Sequence, residues 1–548
     1  QTQCQPNSPS DRTVRAGTAQ FNADGSINTE GLTPRTAGFG AATGEVLSGV
    51  VRIETPGAPE VREVTLNVAA GMLAGAVSWP WGERAGIHIS ATRMELGPYF
   101  ELFEPARTFS DPPHGNTFSM HGGWQYSPAG GLRWFGFRET SGTALPVNEI
   151  FESGEYRTAA ETSFGVVSWR HGHGAWTHDI SIGASSDEEL ERWAVSQWTM
   201  QQDRRELAVR TAFDAGHGVW RGGVNVARER LDHAWSIGSP EEAGDGGILV
   251  YRDRNRETLL AMWTELETGL GRAVNVTAGV RGWHSRRAGQ GGLGPRLALI
   301  WQTGRRVSWS VAGGRYHQVP EGFYYRRGTP HARAMRADQL VASCEWKRGN
   351  RLLRVEAHAK RYRRLAAFDR AYSIHGDGVG TAHGLDLMMK HPLPWEVRGR
   401  LTWSTVWAER TDPNSGLEAP APWGVRNSVV LILERDFGNW MCSVAGRWAN
   451  GRAFTPVVGS IDGSGMPEPV FGPANSENYP SFRRIDCTLA RTWEVSPRIT
   501  AVTYLAGFNL AGWDNVQGYE YSEDFRERRE VPMLFSRGLF FGVNLIFR

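Results

Sequence analysis

The last ten residues constrain the fold of this chain more than any other segment. Large apolar residues occupy every second position there, namely Leu539, Phe541, Val543, Leu545 and Phe547. Successive side chains of a β-strand point to opposite faces, so these five side chains share one wholly apolar face. The sequence therefore predicts a terminal strand that is apolar on one side.

The same alternation recurs from about residue 60 onward, in segments that are separated by turn residues. The clearest segments are 62–70, 86–94, 131–137, 163–170, 176–183, 274–283, 295–302, 307–316, 352–362, 428–435 and 440–449. Short links such as 304–306 alternate with long polar connections, which include 106–116, 185–192, 320–334 and 454–483. This rhythm is typical of outer-membrane β-barrels, which have short turns at one end and long loops at the other.

An all-β fold, with one large transmembrane antiparallel β-barrel, is therefore expected. The 548 residues would otherwise suit several soluble domains, but a barrel grows by adding strands. The longest mostly apolar stretch, 68–80, is too short for a membrane helix. Alternating strands average out in hydropathy, so the mean hydropathy of −0.41 is compatible with a membrane barrel. Trp and Tyr residues near strand ends favour membrane interfaces over the core of a soluble β-sandwich.

The basic residues are unusual, because lysine occurs only at Lys347, Lys360 and Lys390 among 60 basic residues. Codon bias in a GC-rich genome explains this composition, and phosphate recognition by arginine remains the alternative. A net charge of +2 argues against a nucleic-acid-binding protein.

Three of the four cysteines, Cys344, Cys442 and Cys487, alternate with apolar residues. We expect lipid-facing free thiols there, with a Cys442–Cys487 disulfide as the alternative. Cys4 lies in a polar N-terminal segment, 1–38, in which we expect loop structure. The chain opens without a basic and apolar leader, which suggests that a signal peptide has been removed.

Several stretches, in this order, resemble TonB-dependent receptors. The glycine-rich segment 38–55 resembles the end of their plug domain, and 295–299 with 307–316 and Pro320 resembles their P-R-L-x-L strand and the following hairpin. Segments 451–456 and 479–486 resemble a loop entry and a strand start, and 507–510, 514–516 and 519–521 resemble the penultimate hairpin. The resemblance implies a barrel of about 22 strands in a Gram-negative-type outer membrane, with a plug in the lumen.

The resemblance also implies two domains, with an N-terminal segment and plug remnant at 1–55 and the barrel at 56–548. Only about 38 residues precede the plug-like end, and 1–38 contains no clear TonB box. We therefore expect a strongly reduced plug. The implied partners are outer-membrane lipid and a periplasmic energy-coupling protein, and no nucleic acid is implied. Because the plug is reduced, a second protein that fills the lumen is a further candidate partner.

Motifs of catalysis and nucleotide binding are absent from the sequence, so we expect no enzyme, no cofactor and no metal. His171, His173 and His178 form the best metal candidate, but they lie between two strands, so a polar hairpin turn is the preferred interpretation. Acidic stretches at 187–191 and 241–245 are candidates for Ca²⁺ or for solvated loops. On the strands, the residues that we expect to face the lumen are Glu345, Arg447, Asp486 and Asn544.

The sequence supports uptake of a scarce solute across the outer membrane through a barrel with a reduced plug. Two alternatives stay open, a passive pore without a plug and a barrel that anchors a larger surface assembly. The residues that would bind a ligand are unknown at this stage.

Overall fold

A computed structural model gives the fold of the chain. It describes residues 32–35, 39–48, 50–53, 57–104, 108–148, 153–193, 196–237, 248–325, 332–371, 373–463, 466–522, 524–533 and 537–548. The alternating segments form long strands, and the turn residues between them form the connections. The expectation of an all-β protein is confirmed.

The strands, in chain order, are β1 (Leu32–Arg35), β2 (Val50–Ile53), β3 (Glu63–Ala69), β4 (Met72–Trp81), β5 (Ala85–Glu95), β6 (Asp111–Ser127), β7 (Gly130–Asn148), β8 (Ser153–His173), β9 (Trp176–Trp193), β10 (Ser196–Asp214), β11 (Gly218–Ile237), β12 (Ile248–Leu270), β13 (Val274–Ser285), β14 (Gln290–Thr303), β15 (Val307–Gln318), β16 (Met335–Arg348), β17 (Arg351–Phe368), β18 (Ile374–Pro392), β19 (Arg398–Thr411), β20 (Glu418–Pro420), β21 (Asn427–Phe437), β22 (Trp440–Ala449), β23 (Ala453–Phe454), β24 (Val457–Gly463), β25 (Met466–Phe471), β26 (Glu477–Asn478), β27 (Phe482–Ser496), β28 (Ile499–Phe508), β29 (Val516–Tyr521), β30 (Arg528–Pro532) and β31 (Gly538–Phe547). Helix α1 spans Gly97–Phe103, and 3-10 turns lie at Gly322–Tyr324 and Pro394–Glu396.

The long strands close into one antiparallel barrel of 22 strands, as expected. Each barrel strand pairs with its neighbour in sequence, and the last strand, β31, closes the ring by pairing with the first, β3. Val68 lies opposite Val543 at this seam, and Arg548 forms an ion pair with Glu63 at 2.8 Å. Closure leaves no free sheet edge, so every strand of the ring is hydrogen-bonded on both sides.

The two ends of the barrel differ. From β4 onward, the connections at one end of the barrel are all short, and include 128–129, 174–175, 304–306 and 438–439. The connections at the other end vary in length, from two residues at 194–195 to long loops. The long ones include the connections after β15, β22 and β28. Exposed tryptophans such as Trp176, Trp301 and Trp309 lie near the short-turn end, where a membrane interface is expected. We call the short-turn end periplasmic and the long-loop end extracellular.

The two faces of the last strand differ as the sequence predicts. Leu539, Phe541 and Val543 are exposed on the outer surface, whereas Gly542 and Asn544 are buried towards the lumen. In water this exposure would be costly, but lipid covers the outer surface of a membrane barrel. The described cysteines, Cys344, Cys442 and Cys487, are free thiols, so the Cys442–Cys487 disulfide is not formed.

Three sequence predictions about irregular segments were wrong. Residues 111–116 of the predicted connection 106–116 belong to β6. Residues 185–192 lie within β9 instead of a loop, because barrel strands continue past the membrane as paired ribbons. Leu32–Arg35 also forms a strand, since β2 supplies an antiparallel partner from the plug-like segment. Residues 185–192 are mostly polar and are held by pairing with β8 and β10, so their composition resembles that of a loop. The remaining residues of 1–31 lie outside the described part of the chain.

Helix α1 closes part of the extracellular side near the seam. The ring of Tyr99 stacks on Phe540 with centroids 4.7 Å apart, and Phe100 joins the same buried cluster with Phe508. Within the described ranges, no helix is long and apolar enough to cross a membrane.

Candidate functional site

The plug-like segment 39–48 lies inside the barrel. Phe39, Ala41 and Leu47 are buried there, with 3%, 1% and 5% of their surface exposed. The Phe39 ring packs edge-on against Tyr316, with centroids 5.3 Å apart. The lumenal wall of the barrel therefore supplies the environment that buries this segment.

Six consecutive strands, β12 to β17, each contribute one side chain that contacts this segment. The six side chains are Glu265, Arg281, Arg296, Tyr316, Gln339 and Lys360. Five of them donate to backbone carbonyls, and Glu265 instead accepts a hydrogen bond of 2.9 Å from the Ala41 amide. We call these six residues the lumenal clamp. The hydrogen bonds of the clamp therefore go to the backbone of the segment and not to its side chains.

Arg296 makes the largest number of clamp contacts. Its Nη1 atom donates to the carbonyls of Phe39, Gly40 and Thr43, with distances of 3.3 Å to Phe39 and 2.5 Å to Thr43. The guanidinium also lies 4.4 Å from the ring centroid of Tyr316. A charged donor strengthens each hydrogen bond in a buried site, so Arg296 is the strongest single link between segment and wall.

Two glycines allow the segment to approach the clamp closely. A Cβ atom on Gly40 would lie 2.9 Å from Glu265 Oε2, and one on Gly44 would overlap the Arg281 guanidinium. The glycine-rich sequence at 38–44 is therefore explained by close approach to the wall. A hydrogen bond of 3.1 Å from Thr43 N to the Gly40 carbonyl closes the turn between them.

The connection after β15 folds inward and meets the same segment. The Val319 amide donates to Glu45 Oε2 at 3.2 Å, and Asn255 of β12 donates to the Gly322 carbonyl at 2.8 Å. Arg287 holds the connection further by donating to the Pro320 carbonyl at 3.0 Å, with its guanidinium 4.7 Å from the Tyr325 ring centroid. We call residues 319–325 the inward loop.

Buried charges surround this contact. Arg287 lies 3.5 Å from Glu229 and 3.6 Å from Glu257, and the hydroxyl of Ser285 donates to Glu257 at 2.6 Å. Burial raises the pKa of Glu45, although the Val319 hydrogen bond and Arg281 lower it in part. Burial also raises the pKa of Glu321 to about 8, and Glu229 raises it further while Arg287 opposes the shift. Glu321 is therefore most stable in this position as a neutral acid.

We expect the inward loop to loosen as the pH rises towards 8. The folded pKa of Glu321 exceeds its ordinary value of 4.5, so its contribution to stability is complete below 4.5 and is lost as pH rises through about 8. Hydrogen exchange of residues 321–325 should rise about tenfold more in the wild type than in Glu321→Gln between pH 6.5 and 8.5. Equal pH dependence in both proteins would contradict this assignment.

A second cluster joins two long extracellular connections. Phe454, Tyr479 and Tyr519 form an aromatic trio with centroid distances of 4.4 Å and 5.2 Å. Arg452 donates to the Gln517 carbonyl at 2.8 Å, and Asn515 exchanges two hydrogen bonds with the backbone of Arg483. We call this cluster the extracellular lock. It gathers the resembling segments at 451–456, 479–486 and 514–521.

The residues that were candidates in the sequence lie in different parts of the structure. Glu345, Arg447, Asp486 and Asn544 lie on the lumenal face as expected, and Asp486 pairs with Arg484 at 2.6 Å. His171 and His178 lie opposite each other on the β8–β9 hairpin, where Tyr126 contacts the His171 ring at 3.1 Å. Among the described residues, no group of three potential metal ligands forms. Residues 241–245 lie outside the described ranges.

Sequence reasoning did not identify the clamp residues, with two exceptions, Arg296 and Tyr316. Arg296 is the arginine of the P-R-L-x-L resemblance, and Tyr316 and Pro320 belong to the hairpin after it. The structure brings this motif into contact with the glycine-rich segment, more than 250 residues earlier in the chain. Glu265 and Arg281 carried no local signal, because lumenal charges alternate with apolar residues on every strand.

Comparisons with known proteins support the fold. No family model and no curated protein matches the sequence. Among solved structures, the ferric yersiniabactin uptake receptor FyuA from Yersinia pestis has a TM-score of 0.66 at 11% identity, over 91% of this chain and 81% of that one. The FrpB iron transporter from Neisseria meningitidis has a TM-score of 0.70 at 13% identity, over 94% and 87%.

The ferripyoverdine receptor of the outer membrane of Pseudomonas aeruginosa is also similar, with a TM-score of 0.71 at 10% identity over 96% of this chain and 78% of that one. Identities this low establish the fold alone. They agree with the closed ring, the lipid-compatible outer face and the expected strand number. This chain therefore has the barrel fold of the TonB-dependent receptors of the Gram-negative outer membrane.

Proposed function

We propose that the barrel takes up a solute across the outer membrane through a gated lumen with a reduced plug. One observation carries the proposal: six consecutive strands hold segment 39–48 inside the barrel. A passive pore gains nothing from a buried segment with so many specific contacts. In this proposal, residues 1–55 contain the plug remnant and residues 56–548 form the barrel.

The comparisons indicate which class of solute to test first. Similar structures are named for ferric yersiniabactin and ferripyoverdine, so ferric chelates are the first solutes to test on this chain. The proposal also includes a periplasmic energy-coupling partner, since a gate that is held by many contacts needs work to open. No catalytic role is part of the proposal.

Single-channel conductance of the purified chain in a planar bilayer tests the gate. We expect low or no steady conductance from the wild type, because the clamp holds the segment in the lumen. A large and steady conductance would instead establish the passive pore and overturn the gated function. Uptake of ⁵⁵Fe-labelled chelates by cells that carry the chain then separates transport from a role as a surface anchor, for which uptake would be absent.

A further inference from the structure

A cluster of arginines covers the outer surface of β10, β11 and β12 on the extracellular side. The clustered residues are Arg205, Arg228, Arg230, Arg252, Arg254 and Arg256, all of them exposed. They share the outer face with Leu207, Leu260 and Met262, which are exposed apolar residues further towards the periplasmic end. The arginines therefore lie directly beyond the apolar band, at the level of lipid headgroups.

Some of these arginines lie opposite one another on neighbouring strands, and their repulsion lowers the stability of the sheet when no anion is bound. Arg205 lies directly opposite Arg228 on the neighbouring strand, and Arg230 lies directly opposite Arg256. Like charges in directly opposed cross-strand positions destabilise a sheet. Asp232 offsets part of the repulsion, since it pairs with Arg254 at 2.8 Å and Arg252 at 3.3 Å. Arg230 also lies 3.8 Å from Asp232 and directly opposite Asp203 on β10. The six arginines outnumber these two carboxylates, so an excess of positive charge remains.

A groove of about 460 Å³ lies beside the cluster on the outer wall. Its floor consists of small residues, including Gly136, Gly165 and Ala184, and Phe118 and Met120 form an apolar side. Arg205 lines the groove as well, so the groove and the arginine cluster are continuous. A Cβ atom on Gly165 would meet open space, which shows that the floor is unoccupied by protein.

We propose that this surface binds a phosphate-bearing, acylated lipid of the outer leaflet, with the phosphate on the arginine pairs and an acyl chain in the groove. Arginine matches phosphate with two parallel hydrogen bonds, and an anion between opposed arginines removes their repulsion. The exposed side chains of Phe118 and Met120 form the apolar side of the groove, and on a lipid-covered surface the available occupant for that side is a hydrocarbon chain. This site faces the membrane and is independent of the lumen and of the proposed transport.

The test measures lipid retention by native mass spectrometry of the detergent-purified chain. Hexa-acylated lipid A with both phosphates is compared with the same lipid after removal of the phosphates, and with inorganic phosphate alone. We expect retention of the phosphorylated lipid at least about tenfold stronger than that of the dephosphorylated lipid. Equal retention of both lipids would mean that the surface holds only ordinary annular lipid. Equally tight binding of inorganic phosphate would mean that the arginines bind an anion without recognising the lipid. Either outcome would overturn the proposal.

Two sets of variants sharpen the test. Arg205→Gln with Arg228→Gln and Arg256→Gln should weaken retention of the phosphorylated lipid by about tenfold or more. Arg305→Gln with Arg306→Gln and Arg348→Gln removes the same charge from exposed residues in or beside the short turns at the periplasmic end, and should leave retention unchanged. Equal losses in both sets would overturn the proposal.

The groove has its own variant. Gly165→Leu fills an open floor position on the lipid-facing surface, so we expect a folded barrel with weaker retention of the acylated lipid. Circular dichroism of the strand signal confirms that each variant is folded. Unchanged retention in Gly165→Leu would overturn the placement of an acyl chain in the groove.

Discussion

Replacing Arg296 with alanine should open the proposed gate and make the barrel conduct. The side chain holds three backbone carbonyls of segment 39–48 from a buried position, and the surrounding site is too dry for water to replace it fully. Losing a charged hydrogen bond costs about 1.5–3 kcal/mol, and Arg296 makes several. We therefore expect the segment to leave the wall and the single-channel conductance to rise well above that of the wild type.

Arg210→Ala is the matched control. Arg210 also lies on a barrel strand and pairs with Asp179 at 3.5 Å, on the neighbouring strand β9. The same truncation there should leave the conductance near that of the wild type. If both variants conduct equally, or if neither does, the clamp does not close the lumen.

The second large effect is expected from Gly451→Ala in the extracellular lock. A methyl group at this position would overlap the carbonyl oxygen of Tyr479, which belongs to the backbone and has little room to move. Overpacking of this kind costs about 3 kcal/mol, and it would separate Arg452 from the Gln517 carbonyl. We expect a lower thermal unfolding midpoint and faster proteolysis within the connection that follows β22.

Gly459→Ala tests whether the effect is specific. Gly459 lies in the same connection, in β24, and a methyl group there would meet open space. Its unfolding midpoint and its rate of proteolysis should match those of the wild type. Equal destabilisation by both substitutions would mean that the connection tolerates no added side chain at either position. That result would contradict a specific stabilising role for the extracellular lock.

Much of the barrel could be predicted because period-two alternation is a local property. The prediction of 440–449 coincides with β22, and the alternation of 539–547 identified the lipid-facing side chains correctly. Strand ends were less accurate, since the ribbons beyond the membrane lose the apolar face. Residues 185–192 are the clearest case, because they are polar on both faces and yet fully paired.

The candidate site was harder to predict, for a physical reason. Every lumenal face carries polar residues, so Glu265 and Arg281 are indistinguishable in sequence from side chains that merely face water. Their role arises from contact with a segment that is about 240 residues away for Arg281. The resemblance to a known family pointed to Arg296 and Gly44 separately, and only the fold placed them at one site.

The seam between the first and last barrel strands also limits when the ring can close. Val64 and Phe547 are partners in the closed ring, yet they are separated by nearly the whole chain. Such non-local pairing cannot form until the final strand has left the ribosome, and its loop-closure entropy makes it a slow step. Until then, two strand edges with unpaired amides and carbonyls stay open to other chains. The apolar last strand is thus the most recognisable part of the sequence. Its pairing with β3 also removes the two open edges at which the chain could aggregate.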